Sequence, residues 1–344
     1  MRFSPVVILP ALALASLFGS TSLFAAKPAA ETLCSECVRA DLNFLAADEL
    51  HGRGSATRDE HLAALYAASL FESFGLEPAG DWEGNKFLER APVPAFSDRL
   101  KEHLKRQGLD RNERSDTWNA AAILRGSDPE ASKEVILLTA HLDHLGIGNA
   151  AEGDAKNDTV YNGADDDASG TTAVLELARA LSKGPRPKRT ILFVLFGSEE
   201  LGGFGSAYFL DHSPVPLTAI VTNLEFEMIG RPDPMLPKPT LWLTGYERSN
   251  LGPELAKHGA AISADPHPDQ HFFQRSDNYA LAKRGIVAQT VSSYGLHKDY
   301  HQPSDDLGHI DFGFVERSIA SMIEPVRWLA DTKWRPEWAA GGKP

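Results

Sequence analysis

The chain has 344 residues, 42% of them hydrophobic, and carries a formal net charge of -13 at pH 7 with a pI near 5.4. This apolar content suffices for one large core or two modest ones, and no internal repeat or Gly/Ser-rich linker divides the sequence. An acidic surface repels phosphate groups, so the composition argues against nucleic acid as a partner.

Residues 1–26 have the composition of a secretory signal. An apolar run over residues 6–17 is followed by small residues, and we expect cleavage near Ala25 or Ala26. An uncleaved membrane anchor is the alternative, but polar residues 19–22 interrupt the apolar run, which is short for a helix that spans a bilayer. We therefore predict a secreted or periplasmic protein with no stable membrane partner after cleavage.

Cys34 and Cys37 are the only cysteines of the chain. Because there is no second pair, they cannot provide the four thiolates of a structural zinc site. Outside the cytosol, such a pair favours a local disulfide. It would close so short a loop that its effect on stability should be small.

Apolar residues recur at helical spacing in several segments. The predicted helices lie within residues 31–50, 58–74, 171–181 and 312–329. Gly75 ends the second of these, and Pro325 would kink the last. The charged stretch 89–117 predicts an exposed helix and loop.

Four runs rich in β-branched residues are apolar throughout, which is typical of central strands covered on both faces. They comprise residues 134–139, 190–196, 219–224 and 285–290. Helical patterns lie between them, and strands that alternate with helices indicate a parallel sheet. We predict an α/β fold, a three-layer α/β/α sandwich with a mixed, largely parallel central sheet.

Side chains that can bind metal follow each of the four predicted strands. In chain order they are His141, Asp143 and His144, then Glu199 and Glu200, then Glu225 and Glu227, and finally His297 and His301. In open α/β sheets, ligands bind outside the carboxyl ends of the strands. We therefore expect these side chains to meet at one edge of the sheet.

The glycine-flanked turn 162–170 contains three consecutive carboxylates, Asp165, Asp166 and Asp167. Taken alone, it could be a solvated turn that caps a helix. Beside the strand ends, its repelling charges instead favour bound cations. Imidazoles and carboxylates without thiolates suit zinc, and also manganese or cobalt. There are too many carboxylates for one tetrahedral ion, which indicates two ions bridged by a carboxylate.

Five ordered motifs carry a resemblance to a known family. They are His141-x-Asp143, the turn 163–170, Phe196-x-x-Glu-Glu-x-Gly, residues 223–230, and Tyr300-His301 with Asp305. In order and spacing they resemble the co-catalytic zinc aminopeptidases, whose relatives include glutamate carboxypeptidase II and the zinc-dependent glutaminyl cyclases. With the signal at 1–26, the resemblance implies a single zinc exopeptidase domain over residues 27–344, with its core at about 33–330.

The resemblance implies two zinc ions per chain, for which Mn²⁺ or Co²⁺ could substitute. The ligands it assigns are His141 and Glu227 for the first ion, Glu200 and His301 for the second, and Asp166 as the bridge between them. Relatives usually carry Asp in place of Glu227, so Glu225, on the same face of the strand, is the alternative ligand. His301 is preferred to His297 because it matches the Tyr-His-x-x-x-Asp pattern.

The same resemblance assigns catalytic roles. Glu199 would be the general base, and Tyr300 would donate a hydrogen bond to the carbonyl as it becomes an oxyanion. Asp143 would orient His141, since the two side chains point the same way along an extended segment. By that alternation His144 lies on the opposite side, which indicates a structural or supporting role.

Three further acids are assigned supporting positions by the resemblance. Asp165 and Asp167 would be neighbours of the bridging Asp166 rather than ligands. Asp305 would hold His301 from behind. Residues 265–278 are expected to line the pocket for the substrate side chain.

The implied activity is hydrolysis of the N-terminal bond of peptides with a free N-terminus, through a water shared by the two ions. The enzymatic alternatives are a glutaminyl cyclase with a single zinc ion and a carboxypeptidase or dipeptidase of the same family. For the latter, Arg275 is a candidate to bind the substrate carboxylate. A non-catalytic metal-binding relative is the alternative from another class.

Overall fold

The computed structural model describes Met1 and residues 32–150 and 157–344. Apart from Met1, the predicted signal at residues 1–26 lies outside the described residues, so its cleavage stays a prediction. Within the described ranges, no helix is both long and apolar enough to cross a membrane.

The helices and strands of the described ranges alternate along much of the chain. The helices are α1 (Ser35–Leu45), α2 (Arg58–Ser73), α3 (Asp98–Gln107), α4 (Gly170–Lys183), α5 (Phe204–His212), α6 (Leu251–Lys257), α7 (Asn278–Lys283) and α8 (Phe312–Asp331). The strands are β1 (Glu77–Pro78), β2 (Leu88–Pro92), β3 (Asp116–Leu124), β4 (Val135–His141), β5 (Gly146–Ile147), β6 (Val160–Tyr161), β7 (Thr190–Phe196), β8 (Ile220–Phe226), β9 (Leu241–Leu243), β10 (Ile262–Ala264) and β11 (Val287–Ser292). The predicted helices and central strands are all present, and α8 continues past Pro325.

Nine of the described strands form one sheet in the order β1-β3-β7-β4-β8-β11-β9-β10, with β2 also paired to β3. The four strands predicted from apolar runs, β7, β4, β8 and β11, are adjacent and mutually parallel. On one flank β1, β2 and β7 each pair with β3 in antiparallel fashion, and on the other β9 is antiparallel to β11. The predicted α/β fold with a mixed sheet is confirmed, and its parallel part is the centre.

The prediction of an exposed helix and loop over residues 89–117 is correct only in part. The exposed helix is present as α3, but β2 and the start of β3 occupy the ends of this stretch. Strand β3 contains Ala120, Ala121 and Ala122, all fully buried. Alanine has high helix propensity and low strand propensity, so pairing with β2 and β7 decides the conformation here.

The central strands are covered on both faces, as their apolar composition predicted. In β7, Ile191, Phe193 and Leu195 pack in the larger hydrophobic core, to which α1, α2, α4 and α8 contribute. The alternate residues of the same strand pack with α5 and α7 in a second core on the opposite face. The result is three layers, with the sheet between two sets of helices.

Cys34 and Cys37 form a disulfide at the start of α1, with their Cα atoms 5.2 Å apart. The predicted local bridge is therefore present. The backbone amide of Cys34 also donates to the carboxylate of Glu176 on α4 at 2.6 Å. This contact ties the first described helix to α4.

Candidate metal centre

The carboxyl ends of the central strands bring the predicted ligands to one edge of the sheet. His141 is the last residue of β4 and lies opposite Phe196, the last residue of β7. Glu199 and Glu200 follow in the loop after β7, and Glu227 is the first residue after β8. Because these strands are parallel and adjacent, their following residues converge at one place.

The Asp-rich turn, residues Ala164–Ser169, enters this edge just before α4. Gly163, which precedes it, has a φ of 59°, and a Cβ atom there would lie 2.1 Å from the carbonyl oxygen of Asp166. Glycine is therefore required at this position. The peptide bond between Asp166 and Asp167 is cis. The carboxylate of Asp305 accepts from the backbone amides of Asp165 and Asp166, each at 3.0 Å, and so holds the turn.

The first group of possible ligands comprises His141, Asp166 and Glu227, whose ligand atoms all lie within 4.8 Å of one another. Nε2 of His141 is 3.1 Å from Oδ1 of Asp166. Burial and the nearby Asp166 raise the pKa of Glu227 to about 7, although His141 opposes this. Two carboxylates this close in a buried place are unfavourable unless a cation neutralises them.

The second group lies on the other side of Asp166. His144, Asp166 and Glu200 also have ligand atoms within 4.8 Å of one another. Nε2 of His301 lies 3.3 Å from Oδ2 of Asp166 and 3.1 Å from Oε2 of Glu200. The two oxygens of Asp166 thus face different groups, as a bridging carboxylate requires. The other four predicted ligands thus all lie around Asp166.

The imidazole nitrogens in this centre lie at ion-pair distance from carboxylate oxygens but are not aligned with them for hydrogen bonds. Nε2 of His141, Nδ1 of His144 and Nε2 of His301 are buried and have no hydrogen-bond partner among the described residues. Yet each lies 2.9–3.1 Å from a carboxylate oxygen. An imidazole nitrogen and a carboxylate oxygen that are this close, but whose lone pairs are not directed at each other, can both be directed at a third position between them. The side chains thus fit metal ions, whose nitrogen and oxygen ligands surround one point.

Asp143 supports both groups through its hydrogen bonds. Its two carboxylate oxygens accept from the backbone amides of Glu199 at 3.0 Å and Glu200 at 3.3 Å. Ser55 donates to the same carboxylate at 2.5 Å. Nδ1 of His141 lies 3.2 Å from the backbone carbonyl of Asp143 and 3.6 Å from its carboxylate. The backbone carbonyl of Asp143 is therefore placed to orient His141, and its carboxylate fixes the loop after β7; that the side chain orients His141 stays a prediction.

Glu199 lies in this loop, partly exposed, and its carboxylate makes no hydrogen bond to any residue that the structure describes. Burial raises the pKa of Glu199 well above its ordinary value, and Glu200, Asp277 and Glu227 add to the effect while His141 opposes it. A carboxylate with a raised pKa and no fixed partner is a stronger base than an ordinary carboxylate and is free to accept a proton. The predicted general base thus has suitable surroundings.

A pocket opens beside the first group. It is lined by Glu227 and Tyr300, by the aromatic side chains of Trp242, Phe272 and Tyr294, and by Arg275. The ring of Tyr300 stacks on His301 with ring centroids 3.9 Å apart. Burial and the surrounding carboxylates raise the pKa of Tyr300 well above its ordinary value, so its hydroxyl keeps its proton.

The alternative ligands considered for the strand ends have other partners. Glu225 accepts from the backbone amide of Asn278 at 2.5 Å. His297 bonds to Asp165 at 2.9 Å and lies outside both groups. Asp167 accepts from the backbone amides of Gly170, Met228 and His141. These side chains build the framework behind the centre.

Asp305 differs from its predicted role. We expected it to hold His301, but its carboxylate instead accepts from the backbone of the Asp-rich turn and pairs with Arg231 at 3.1 Å. His301 is positioned by the stack with Tyr300 and by its own φ of 56°. Asp305 therefore acts on the centre through Asp166.

His144 also departs from its expected place, because it joins the second group instead of facing away. The rule that side chains alternate along a strand does not apply to His144, since the extended strand ends at His141.

Sequence reasoning missed Glu60 as well, a fully buried acid on α2. It accepts from the backbone amide of Ser198 at 2.9 Å and from Trp118 at 3.2 Å. An acid within a helix that otherwise packs alanines against the sheet was the available signal.

The model of Peptidase family M28 matches residues 119–326. Leupeptin-inactivating enzyme 1 of Streptomyces exfoliatus is 32% identical over 159 residues, which cover 44% of this chain and 33% of that protein. The first curated relatives are thus matched over a third or less of their length.

Solved structures share the fold. A zinc aminopeptidase of Bacillus subtilis has a TM-score of 0.62 and 16% identity, covering 90% of this chain and 98% of that one. The glutaminyl cyclase of Porphyromonas gingivalis also has a TM-score of 0.62, with 17% identity, covering 86% of this chain and 99% of that one. Since the family model covers more than half of the chain, and the strand ends present the expected motifs, the protein belongs to Peptidase family M28.

Proposed function

We propose that the protein is an exported, zinc-dependent aminopeptidase that hydrolyses the N-terminal bond of peptides with a free N-terminus. The observation that carries this proposal is the pair of ligand groups on either side of Asp166, with Glu199 beside them. Curated relatives include enzymes described as aminopeptidases, and one similar structure is described as a zinc aminopeptidase.

In this proposal His141 and Glu227 would hold the first ion, Glu200 and His301 would hold the second, and Asp166 would be shared by the two positions. Zinc suits these nitrogen and oxygen donors, and Mn²⁺ or Co²⁺ are expected substitutes. When bound, the ions polarise a carbonyl and make a water molecule more acidic. The like charges that crowd this buried place are then neutralised, which accounts for so many carboxylates together.

Glu199 serves as the general base. It accepts a proton from the attacking water and then gives that proton to the leaving amine. Two adjacent glutamates can have different roles here, because the carboxylate of Asp143 fixes the backbone amides of Glu199 and Glu200 separately. Glu200 is then directed to the imidazoles of the second group, while Glu199 keeps a free carboxylate.

Tyr300 donates its phenolic proton to the substrate carbonyl as negative charge develops on the oxygen. Its hydroxyl makes no hydrogen bond to a described residue, so it is available to substrate. The protonated N-terminus of the peptide is attracted to the carboxylates around Glu227. The pocket of Trp242, Phe272 and Tyr294 takes the first side chain of the peptide.

A panel of aminoacyl chromogenic substrates, assayed with and without a chelator, tests the proposal. We expect hydrolysis that the chelator abolishes and that added Zn²⁺ restores. Blocked substrates with an acetylated N-terminus should be poor, because the acetyl group removes the cation. The absence of chelator-sensitive hydrolysis across a broad panel would favour a metal-binding protein without catalysis.

A glutaminyl cyclase is the second candidate, and the structural similarity to the Porphyromonas gingivalis enzyme is the reason to retain it. Such an enzyme would use one zinc ion and would rearrange its substrate instead of cleaving it. Metal analysis of the purified protein separates the two candidates. Two ions per chain favour hydrolysis, and one ion together with release of ammonia from N-terminal glutamine favours cyclisation.

Cleavage at the other end of a peptide is a further alternative within the family. A carboxypeptidase or dipeptidase needs a cation for the substrate carboxylate, and Arg275 lines the pocket beside Glu227. Its guanidinium lies over the ring of Phe272, 4.9 Å from the centroid, and forms no ion pair with a described residue. Comparing free dipeptides with their C-terminal amides decides this, since a carboxylate-dependent enzyme prefers the free acids.

Export is proposed from the signal-like residues 1–26 and is supported by the Cys34–Cys37 disulfide. Fractionation of cells that express the full chain tests it. We expect the mature form outside the cytosol, with a new N-terminus near residue 26 that mass spectrometry can locate. A protein of full mass in the cytosol would contradict the proposal.

A further inference from the structure

We propose that His144 is a ligand of the second metal ion. The second position is the place that Asp166, Glu200 and His301 surround, and the first position is the place that His141, Asp166 and Glu227 surround. The inference rests on the proposed metal centre and assigns a residue that the family motifs do not include. It would give the second position two imidazoles and two carboxylates, whereas the first position has one imidazole and two carboxylates. The two positions would then differ in affinity.

The distances place His144 among the ligands. Its Nδ1 atom lies 2.9 Å from Oε1 of Glu200 and 3.8 Å from Oδ2 of Asp166. The side chain is fully buried, and its ring lies 5.6 Å from that of His301, between centroids, at an interplanar angle of 71°. Two imidazoles and two carboxylates thus surround one location.

Nδ1 of His144 and Oε1 of Glu200 are close enough for an ion pair, but they are not aligned for a hydrogen bond. Nδ1 of His144 and Oε1 of Glu200 both lack a hydrogen-bond partner among the described residues, although they are 2.9 Å apart. Buried polar atoms normally have partners. Nε2 of His141 and Nε2 of His301 show the same combination of short distance and missing hydrogen bond. His144 therefore shares the geometric signature of the two imidazoles that the family motifs assign as ligands.

The backbone around His144 is fixed by contacts from distant segments. Its amide donates to the carbonyl of Arg53 at 3.0 Å, and its own carbonyl accepts from Ser55 at 3.1 Å. The ring lies against Gly163, where a Cβ atom would be 2.5 Å from Cγ of His144. The imidazole is therefore held in place before any ion arrives, which favours binding.

The added ligand has a chemical consequence. Four protein ligands complete the tetrahedral shell of zinc, so a water there would be a fifth ligand, whereas sites with three protein ligands leave a position open. We therefore expect the second position to bind its ion more tightly and to fill first. The first position would hold its ion more weakly and exchange it more readily.

The test is a titration of chelator-treated protein with Zn²⁺, repeated with Co²⁺, whose visible absorption depends on the number and geometry of its ligands. The variant is His144→Asn. An amide nitrogen can occupy the place of Nδ1 and donate to Glu200, but it is a poor ligand. We expect the tighter of two binding steps to weaken by more than the ~10–100-fold that loss of a supporting hydrogen bond costs. The cobalt spectrum of that step should also change.

The companion variant His144→Asp separates a lost ligand from a damaged fold. A carboxylate at this place can bind metal, so His144→Asp should retain more affinity than His144→Asn. His267→Gln is the matched control, because His267 is also buried but pairs with Asp233 at 2.7 Å. It should leave both binding steps and the cobalt spectrum unchanged. Circular dichroism of all metal-free variants reports whether they fold.

Wild-type zinc affinity and an unchanged cobalt spectrum in His144→Asn would overturn the inference and leave His144 as a supporting donor. Equal losses in both His144 variants, with the metal-free fold intact, would also count against a ligand role. A failure of the proposed function would give a different result from a failure of the ligand assignment for His144. A protein that binds two ions with this dependence on His144, but hydrolyses no peptide, would refute the aminopeptidase and retain the ligand.

Discussion

Carboxylates are buried in two regions of this molecule, and they are neutralised differently. On the antiparallel flank, Glu60 accepts from Thr117, Trp118 and Ser198, all neutral donors. At the ends of the parallel strands, Glu200 instead faces imidazole nitrogens that have no hydrogen-bond partner among the described residues. A buried acid whose oxygens accept hydrogen bonds from neutral donors serves the framework. A buried acid that faces imidazole nitrogens without hydrogen-bond partners is suited to binding a cation.

Burial alone does not separate the two regions. Burial raises the pKa of Glu60 to about 8 and that of Glu89, on the same flank, to about 8, and it raises the pKa of Glu227 at the strand ends to about 7. The two regions differ in the groups that face the carboxylate oxygens. These groups are neutral hydrogen-bond donors on the antiparallel flank and imidazole nitrogens at the strand ends. Four variants, in order of decreasing effect on activity, test this distinction.

Glu199→Gln should have the largest effect. It removes the base and keeps the shape, so we expect turnover to fall by about 10²–10⁴-fold. Metal content should stay at the wild-type value, because Glu199 belongs to neither ligand group. Steady-state kinetics and metal analysis on the same sample measure both. Near-wild-type turnover would remove Glu199 from the mechanism.

Tyr300→Phe should reduce turnover by about 10²–10³-fold, as loss of one oxyanion donor does. The ring can still stack on His301, so metal binding should persist. If the effect appears mainly in KM, Tyr300 lines the pocket and does not stabilise the transition state. The matched control is Tyr294→Phe, which alters a neighbouring aromatic residue of the same pocket.

Asp143→Asn tests a framework acid that touches both ligand groups. One amide oxygen can replace only part of the three hydrogen bonds that the Asp143 carboxylate accepts from Ser55, Glu199 and Glu200. We expect metal affinity to decrease by about 10–100-fold. Competition with a chromogenic chelator measures this. If only one of two binding steps weakens, Asp143 supports one group and not both.

Glu89→Gln should leave turnover unchanged and alter the pH dependence of stability. Glu89 accepts from Asn119 at 2.7 Å, and burial raises its pKa from 4.5 to about 8. The unfolded chain loses this proton first, so wild-type stability should decrease as the pH rises from about 4.5 to about 8. The variant lacks this loss, which is on the order of a few kcal/mol.

Urea unfolding of Glu89→Gln and wild type at pH 5 and pH 8.5 checks this prediction. The variant should be the more stable protein at the higher pH, and the difference should shrink at the lower one. Glu77→Gln, at an exposed position on the same flank, is the control. Parallel pH profiles for Glu89→Gln and wild type would contradict the raised pKa.

The sequence by itself determined the centre of the fold and the identity of the candidate ligands. Strands such as β4 and β7 must be apolar throughout, because helices cover both of their faces. Polar residues directly after such strands stand out, and parallel strands bring them to one edge. The amino-acid pattern was therefore sufficient to place His141 and Glu227 at the same edge of the sheet.

Only the tertiary structure decided which acids serve the framework and that His144 joins the second group. The partners come from distant segments, since Ser55 is 88 residues from Asp143 and Glu60 is 138 residues from Ser198. Local patterns end where a strand ends, so they could not orient His144. Hydrogen-bond satisfaction depends on which segments meet in space, and this distinguishes a framework acid from a metal ligand in this protein.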